Sequence, residues 1–391
     1  MPLIAAQDLR RLVLDLLGRA GTPDDIADVV ADSLIGADLA GHGSHGVLKL
    51  PSYLRDIELG RLKPPARPFV VDDGPATAVL DGAGGYGHLA ARLAVDLVLD
   101  KAGHCGLAAV VVSHAHHTGR LGGWSELIAA AGLIGMLTGG EGQGPWKVAP
   151  HGGASGAMAT NPVTWAVPRA AGEPPVVLDY ATSVVSIGKL QIARAAGAET
   201  VPPGWLLDEQ GQPTTRLEDF FTGGHLLPFG GHKGSALALI AELLAVGLSA
   251  GDRFGGGERS SCLFVLAVDP GRIRPPAQLH QFVDSTVQRL KSVPGAAETA
   301  EVLVPGEPEQ RARESAPGVT LPDAVWRSLC TAAAGLGVIP PSPRDGDRRG
   351  LRGHARIRRT GRAEPGLDRP SARPRRLRRA EPLGTAPLSS C

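Results

Sequence analysis

Residues 77–99, TAVLDGAGGYGHLAARLAVDLVL, open the part of the chain that decides the fold. A short β-rich run comes first, a glycine-rich turn follows, and the remainder has the apolar spacing of a helix. Five more β-rich runs come later, at LAAVVV (107–112), LIGMLT (133–138), VTWAVP (163–168), PVVLD (175–179) and CLFVLAV (262–268). Helical segments near 88–102, 122–131, 181–196, 233–250 and 276–291 separate most of these runs. Taken alone, this alternation predicts an α/β fold with a doubly wound parallel sheet.

The glycine-rich turn, GAGGYG at 82–87, matches the GxGxxG pattern of dinucleotide-binding loops. That pattern also needs an acidic residue at the end of the second strand, where a carboxylate holds the ribose. The second strand ends at VVVSHAHH (110–117), which contains no acidic residue, and Asp100 lies inside the intervening helix. Two interpretations therefore remain open for this turn: a dinucleotide loop, and a plain connection from strand to helix.

Both ends of the folded pattern are helical. Leu9, Leu12, Val13 and Leu16 fall on one helical face, and the last helix covers about 321–336. Thr22-Pro23 predicts the start of a second N-terminal helix, with Thr22 as its N-cap.

Composition restricts the class of protein. Hydrophobic residues make up 43% of the 391 residues, a value typical of a folded globular chain. No run of 18 apolar residues occurs, and the N-terminus lacks the features of an export signal. The cysteines (Cys105, Cys262, Cys330, Cys391) form no CxxC pair, which argues against disulfides and structural zinc. We therefore expect a soluble, cytoplasmic protein without a membrane span.

The formal net charge of +1 conceals a boundary near residue 340. Residues 341–391 hold 14 Arg against five acidic residues, a net charge of +9, which leaves −8 for the preceding part. This segment has no apolar periodicity and no aromatic residue, so it predicts a disordered Arg/Pro-rich tail. Two interpretations are open: a tail without a function, and an arm that binds nucleic acid. The acidic body favours the first.

Two histidine clusters stand in loops beside predicted structure. They are His42 and His45 within GHGSHG (41–46), and His114, His116 and His117 within SHAHHTGR (113–120). Imidazole titrates near neutrality, so it can exchange a proton with a hydroxyl or carbonyl oxygen. The alternatives are ordinary loop histidines and a metal site. No carboxylate set accompanies the clusters, so we predict no metal ligands.

A series of motifs around these clusters resembles the type-2 malate/L-lactate dehydrogenase family. The matching stretches, in order, are ADLAGHGSHG (37–46), LPSY (50–53), HHTGRLG (116–122), APHGG (149–153), ATNP (159–162), LDYATS (178–183), PPGW (202–205), GHKG (231–234) and VLVPGE (302–307). The resemblance covers about 3–340. Several motifs matched in order are far more specific than one GxGxxG pattern.

The resemblance implies a different fold from the one that alternation alone predicts. It implies a non-Rossmann three-layer α/β/α arrangement with a mixed, largely antiparallel sheet, so that GAGGYG would not be the cofactor site. A smaller N-terminal helical domain (1–75) with the substrate loop would be joined by a helical return (302–340). The catalytic domain would span 76–301, and the tail 341–391. The resemblance also implies a homodimer and a nicotinamide cofactor, NAD, with NADP as the alternative.

The resemblance assigns residues to roles. His117 would be the catalytic proton donor and acceptor, and Ser44, His45 and Tyr53 would line the substrate pocket. Asp179, Tyr180, Ala181 and Lys233 would hold the cofactor. Lys49 stands where many relatives have Arg, which weakens a bidentate grip on a substrate carboxylate, so Arg120 is added to the substrate-binding residues.

The expected activity is hydride transfer between the cofactor and C2 of a small 2-hydroxy or 2-oxo acid. The alternative within the family is a reductase of a cyclic imine 2-carboxylate. From other classes, a metal-dependent hydrolase would use the histidine clusters. A nucleic-acid partner is not expected.

Overall fold

A seven-stranded mixed sheet carries the site. The computed structural model describes residues 1–142, 144, 146–249, 261–296 and 301–343. The strands lie in the order β2 (Phe69–Asp73), β3 (Thr77–Asp81), β4 (Leu107–Ala115), β11 (Ser261–Val268), β5 (Ile134–Glu141), β6 (Val163–Val167) and β7 (Val176–Tyr180). Only β3 and β4 pair in parallel, and every other neighbouring pair in this sheet is antiparallel.

The six β-rich runs are all strands, but the doubly wound parallel arrangement expected from alternation is wrong. Strand β11 pairs between β4 and β5 and is antiparallel to both. Strands β4 and β5 therefore do run in the same direction, as a β-α-β pattern predicts, but a strand from much later in the chain separates them. The mixed, largely antiparallel sheet implied by the family resemblance is confirmed.

Helices cover both faces of the sheet. Their bounds are α1 (Ala6–Arg19), α2 (Asp24–Leu39), α3 (Leu50–Glu58), α4 (Gly87–Cys105), α5 (Leu121–Ala130), α6 (Ile187–Ala195), α7 (Leu217–Phe221), α8 (His232–Glu242), α9 (Pro276–Lys291), α10 (Glu307–Ser315) and α11 (Asp323–Gly335). Helix α8 continues as a π-helical segment, Leu243–Gly247. The predicted helix near 181–196 begins only at Ile187, and the edge strand β2 was missed because all five of its residues are exposed.

Strand β5 defines the three layers through its alternating glycines. A Cβ on Gly135 would lie 2.8 Å from Cβ of Ile128 on α5, whereas a Cβ on Gly140 would meet Glu242 of α8 at 2.7 Å. Since these glycines are an odd number of residues apart, they face opposite sides of the sheet. The three-layer α/β/α prediction is confirmed.

A hydrophobic cluster apart from the large sheet joins the two ends of the described chain. Side chains of α1, α2, α3 and α11 pack together, among them Leu16, Leu34 and Leu329. Strand β1 (Leu3–Ile4) pairs with β12 (Val319–Thr320) beside them. The domain boundaries themselves stay a prediction, and the tail lies outside the described residues from 344 onward.

Helix α2 begins differently from the prediction. It starts at Asp24 with Pro23 as the N-cap residue, and no side chain caps it. The hydroxyl of Thr22, predicted as the N-cap, instead forms a hydrogen bond with the hydroxyl of Tyr86 at 2.9 Å. This contact ties the N-terminal helices to the GAGGYG turn.

Three short strands form a small separate sheet, in the order β10 (His225–Leu226), β8 (Leu206–Leu207) and β9 (Pro213–Thr214). Across the part of the chain that the structure describes, no helix is both long and apolar enough to span a bilayer.

Candidate active site

The predicted site residues converge on one cavity of about 250 Å³ at the edge of the large sheet. Its walls come from the loop after α2, the loop after β4, the end of β7 and the first turn of α6. Seven of the nine predicted site residues line it: Ser44, His45, His117, Arg120, Asp179, Tyr180 and Ala181. Tyr53 and Lys233 lie outside the lining.

His117 follows β4 and is held from behind. Its Nδ1 lies 2.6 Å from the hydroxyl oxygen of Tyr53, and the backbone N–H of Gly119 donates to the same nitrogen at 3.3 Å. The Tyr53 hydroxyl can donate to Nδ1 or accept from it, so it holds the ring whether or not Nδ1 carries a proton. Tyr53, expected in the substrate pocket, is 1% exposed and contacts His117 instead of the cavity.

Burial controls the charge of His117. It lowers the pKa of His117 well below 6.5, and the positive charge of Lys49 lowers that pKa further. The ring of His45 stacks on His117 with centroids 5.7 Å apart, and burial lowers the pKa of His45 to about 3. Both rings are therefore neutral at pH 7 when no ligand is present.

The loop that carries Ser44 and His45 is fixed from two sides. The hydroxyl of Ser44 lies 3.0 Å from Nδ1 of His45, and Gly188 of α6 packs so closely on Ser44 that a Cβ there would clash. On the other side, Asp38 accepts a hydrogen bond from the backbone N–H of Val47 at 2.9 Å. Burial raises the pKa of Asp38 to about 7.

Arg120 lines the cavity, but carboxylates engage its guanidinium group. Its Nη2 lies 2.8 Å from Glu126, and its Nε lies 3.4 Å from Asp179. Glu126 also pairs with Arg313 at 2.7 Å. Only the Glu126 contact is a hydrogen bond, and Nε of Arg120 is buried without a hydrogen-bond partner among the described residues, so the guanidinium group keeps an unused donor.

Lys49 is the less engaged cation near His117. It is partly buried, and burial lowers its pKa. Within the described residues, no ion pair of Lys49 occurs within 4.0 Å, and its positive charge is the largest electrostatic influence on the pKa values of both His45 and His117. Lys49 does not line the cavity, whereas Arg120 and Lys189 do.

The predicted cofactor residues are only partly brought together. Oδ2 of Asp179, at the end of β7, accepts a hydrogen bond from the backbone N–H of Gly122 at 2.9 Å. Tyr180 packs edge-on against Phe229 with centroids 5.3 Å apart, and it is 40% exposed. Lys233 is exposed in the first turn of α8 and does not reach the cavity.

Asn161, which lines the cavity, was missed by sequence reasoning. Its Nδ2 donates to the carbonyl of Gly139 at 3.3 Å and to the carboxylate of Glu242. Both partners are acceptors, so the orientation of the amide is fixed. Its Oδ1 is buried and has no hydrogen-bond partner among the described residues. The ATNP motif contained this residue, but nothing in the sequence alone indicated its burial.

His42, named only as a member of the first histidine cluster, and Lys189, which the sequence did not single out, also line the cavity. His42 pairs with Glu309 of α10 at 2.9 Å, a contact between residues 267 positions apart that no local pattern could indicate.

The GAGGYG turn does not line the cavity. A Cβ on Gly82 would lie 2.8 Å from Cα of Ala115, and a Cβ on Gly87 would collide with the carbonyl oxygens of His116 and His117. These glycines allow the turn to pack directly on the histidine loop after β4. The plain strand-to-helix interpretation explains them, and the dinucleotide-loop interpretation does not.

Metal binding finds no support in the arrangement of donors. Among the residues that the structure describes, no group of three or more His, Cys, Asp or Glu side chains could hold a metal ion.

The fold and the cavity define the class of protein, and comparison with known proteins gives the family. A family model described as malate/L-lactate dehydrogenase matches residues 4–330. The chain therefore belongs to the malate/L-lactate dehydrogenase family and is an oxidoreductase. This result confirms the resemblance found in the motifs and does not support a metal-dependent hydrolase.

Particular relatives span nearly the whole folded part. The chain is 34% identical over 348 residues to the L-lactate dehydrogenase of Cupriavidus necator, covering 87% of this chain and 99% of the relative. It is 34% identical over 347 residues to hydroxycarboxylate dehydrogenase B of Escherichia coli O157:H7, covering 85% and 94%. The solved structure of malate dehydrogenase from Pyrococcus horikoshii OT3 aligns with a TM-score of 0.77 and 29% identity, covering 87% of this chain and 97% of that one.

Proposed function

We propose that this oxidoreductase transfers a hydride between a nicotinamide cofactor and C2 of a small 2-hydroxy or 2-oxo carboxylic acid. His117 is the proton donor and acceptor. The observation that carries the proposal is the half-buried imidazole at the cavity wall, with Nδ1 held by Tyr53 and Nε2 left for a ligand. A fixed imidazole with one free nitrogen is what proton exchange with a substrate oxygen requires.

The cavity residues fit a nicotinamide nucleotide. The unpartnered Oδ1 of Asn161 is a buried acceptor, and a carboxamide N–H group would satisfy it. Asp179, Tyr180 and Ala181 follow one another along the same wall, where the carboxylate suits ribose hydroxyls. When bound, the cofactor supplies the hydride. We propose NAD as the cofactor, with NADP tested beside it.

Arg120 binds the substrate carboxylate in this proposal. It lines the cavity beside His117, and its Nε forms no hydrogen bond among the described residues. Lys49 does not line the cavity and acts on the site through its charge. An arginine also offers a planar, directional contact to a carboxylate, which a lysine does not.

Proton transfer between His117 and the substrate oxygen accompanies the change of charge on that oxygen. Reduction places negative charge on the former carbonyl oxygen, and protonated His117 neutralises it through Nε2. In oxidation, neutral His117 with its proton on Nδ1 removes the hydroxyl proton through Nε2, while the Tyr53 oxygen accepts a hydrogen bond from Nδ1. Burial lowers the pKa of His117, so the ligand-free site is prepared for the oxidative direction. An anionic substrate beside the ring raises the pKa and allows reduction.

The test is to follow the absorbance of NADH and of NADPH separately against a panel of 2-oxo acids and cyclic imine 2-carboxylates. Turnover of 2-oxo acids with one of the two cofactors supports the proposal. Turnover of the cyclic imines alone would show that the substrates are cyclic imine 2-carboxylates and not 2-oxo acids. No turnover with either cofactor would contradict the proposal.

We also propose that the chain forms a homodimer. Helix α8 and the segment after it expose large apolar side chains to solvent in the single chain: Leu239, Ile240, Leu243 and Leu248 are each more than half exposed. Such a contiguous apolar surface is typical of a protein interface. Light scattering after size-exclusion chromatography tests it, and a monomer at micromolar concentration would contradict it. The cytoplasmic location stays a prediction.

A further inference from the structure

His88 is a fully buried histidine that the proposed reaction does not use. It is the second residue of α4, directly after the GAGGYG turn, and its exposure is 0%. Neither ring nitrogen has a hydrogen-bond partner among the described residues. A buried polar ring without partners is unfavourable for folding, so its position calls for another explanation.

The ring of His88 lies directly behind the catalytic pair. Its centroid is 6.0 Å from that of His117 and 5.8 Å from that of Tyr53, and it meets both nearly edge to face. It also lies beneath the catalytic loop, since a Cβ on Gly119 would be 2.9 Å from Nε2 of His88. The flat ring therefore fills the space between Tyr53, His117 and Gly119.

The turn before His88 holds this arrangement in place. Gly87 packs against the carbonyl oxygens of His116 and His117, so the backbone of α4 abuts the catalytic loop without an intervening side chain. Tyr86 is anchored to Thr22 by its hydroxyl. The GxGxxG pattern thus places His88 against His117 instead of binding phosphate.

We propose that His88 is a positioning residue that holds the ring of His117 and excludes water from its inner face. This inference rests on the proposed function of His117. The charged and titratable groups that face His117 are Tyr53, His45, Lys49, His116 and His88 itself. Burial lowers the pKa of His88 to about 3, so its ring is a neutral wall across the working pH range.

The test compares His88→Ala, which opens the space, with His88→Phe, which keeps a flat ring without nitrogens. His104→Ala is the matched control, because His104 lies on the same helix but is exposed. For each variant, turnover across pH, cofactor affinity, melting temperature and the histidine NMR titration of His117 are measured.

We expect His88→Ala to reduce kcat by about tenfold or more, since small displacements of a reacting group are costly. Cofactor affinity is expected to stay unchanged. Water reaching the ring should raise the pKa of His117, so its NMR titration and the limb of the pH profile both move to higher pH. His88→Phe should retain most of the activity, and His104→Ala should behave like the wild type.

A His88→Ala protein with an unmoved titration of His117 and wild-type turnover would overturn the inference. So would equal losses of cofactor affinity and turnover at every pH, because they indicate a structural role only. If the wild type lacks activity on 2-oxo acids but the NMR titration still moves in His88→Ala, the proposed function fails and the positioning role stands.

Discussion

The hydrogen bond between Tyr53 and His117 can be removed by deleting a single oxygen atom. Tyr53→Phe keeps the ring contacts with Tyr86, His88 and His116, and it deletes only the hydroxyl that lies 2.6 Å from Nδ1 of His117. The remaining donor to Nδ1 is the backbone N–H of Gly119 at the longer distance of 3.3 Å. The ring then loses most of what fixes its orientation.

The magnitude follows from the burial of this bond. Leaving a buried acceptor with a poorer partner costs about 1–3 kcal/mol. If that energy is lost from the productive orientation of His117, kcat falls by about five- to 150-fold, at roughly 1.4 kcal/mol per factor of ten. Cofactor affinity should not change, since Tyr53 does not line the cavity.

The matched control is Tyr86→Phe. Tyr86 is as buried as Tyr53, at 1% exposure, but its hydroxyl bonds Thr22 instead of His117. Steady-state kinetics and melting temperature are measured for both variants, and nitrogen NMR reports the tautomer of His117. Both should lose some stability, and Tyr53→Phe should lose far more turnover than Tyr86→Phe. Equal turnover in the two variants would refute the role of this bond.

Three further predictions concern the rest of the site. Arg120→Ala should raise KM for the 2-oxo acid by about 10- to 150-fold, the equivalent of about 1.5–3 kcal/mol for a lost hydrogen bond to a charged group, and Arg120→Lys should restore it only in part. Steady-state kinetics test this, and an unchanged KM would exclude the carboxylate contact. Asn161→Ala and Asp179→Ala should each weaken cofactor binding by about 1–3 kcal/mol, measured by fluorescence titration beside Lys233→Ala. A larger loss of affinity in Lys233→Ala would indicate that the cofactor binds near α8 instead. Burial raises the pKa of Asp38 to about 7, so the native state binds this proton more tightly than the unfolded chain does, and the contribution of Asp38 to stability falls as pH rises from about 4 to 7. In denaturant unfolding, the stability of Asp38→Asn relative to the wild type should therefore be greater at pH 8 than at pH 5. An equal difference at both pH values would contradict this.

Local patterns predicted the strands and most helices of this fold but not how the strands pair. Runs such as 107–112 and 133–138 are apolar and β-branched, so their conformation is set locally. The position of β11 between β4 and β5 depends on contacts between residues more than a hundred positions apart. Periodicity carries no information about such pairing, and only the family resemblance indicated it.

Site residues were predictable where a reactive side chain stands inside a recognisable motif. His117, His45 and Asp179 were found because imidazole and carboxylate groups stood in recognisable sequence contexts, and all three line the cavity. The partners of these groups were not predictable. The pairing of Arg120 with Glu126 and the burial of Asn161 arise only when separate elements pack together.

The most direct test of the central claim is the turnover of His117→Gln with a reduced nicotinamide cofactor and a 2-oxo acid, measured across pH beside His45→Gln. Glutamine keeps some hydrogen bonding but cannot transfer a proton, so we predict a loss of kcat of about a hundredfold or more. Cofactor affinity should be unchanged, and the limb of the pH profile that belongs to His117 should disappear. Wild-type turnover and an intact limb of the pH profile in His117→Gln, beside an inactive His45→Gln enzyme, would contradict the account. That result would assign the proton transfer to His45.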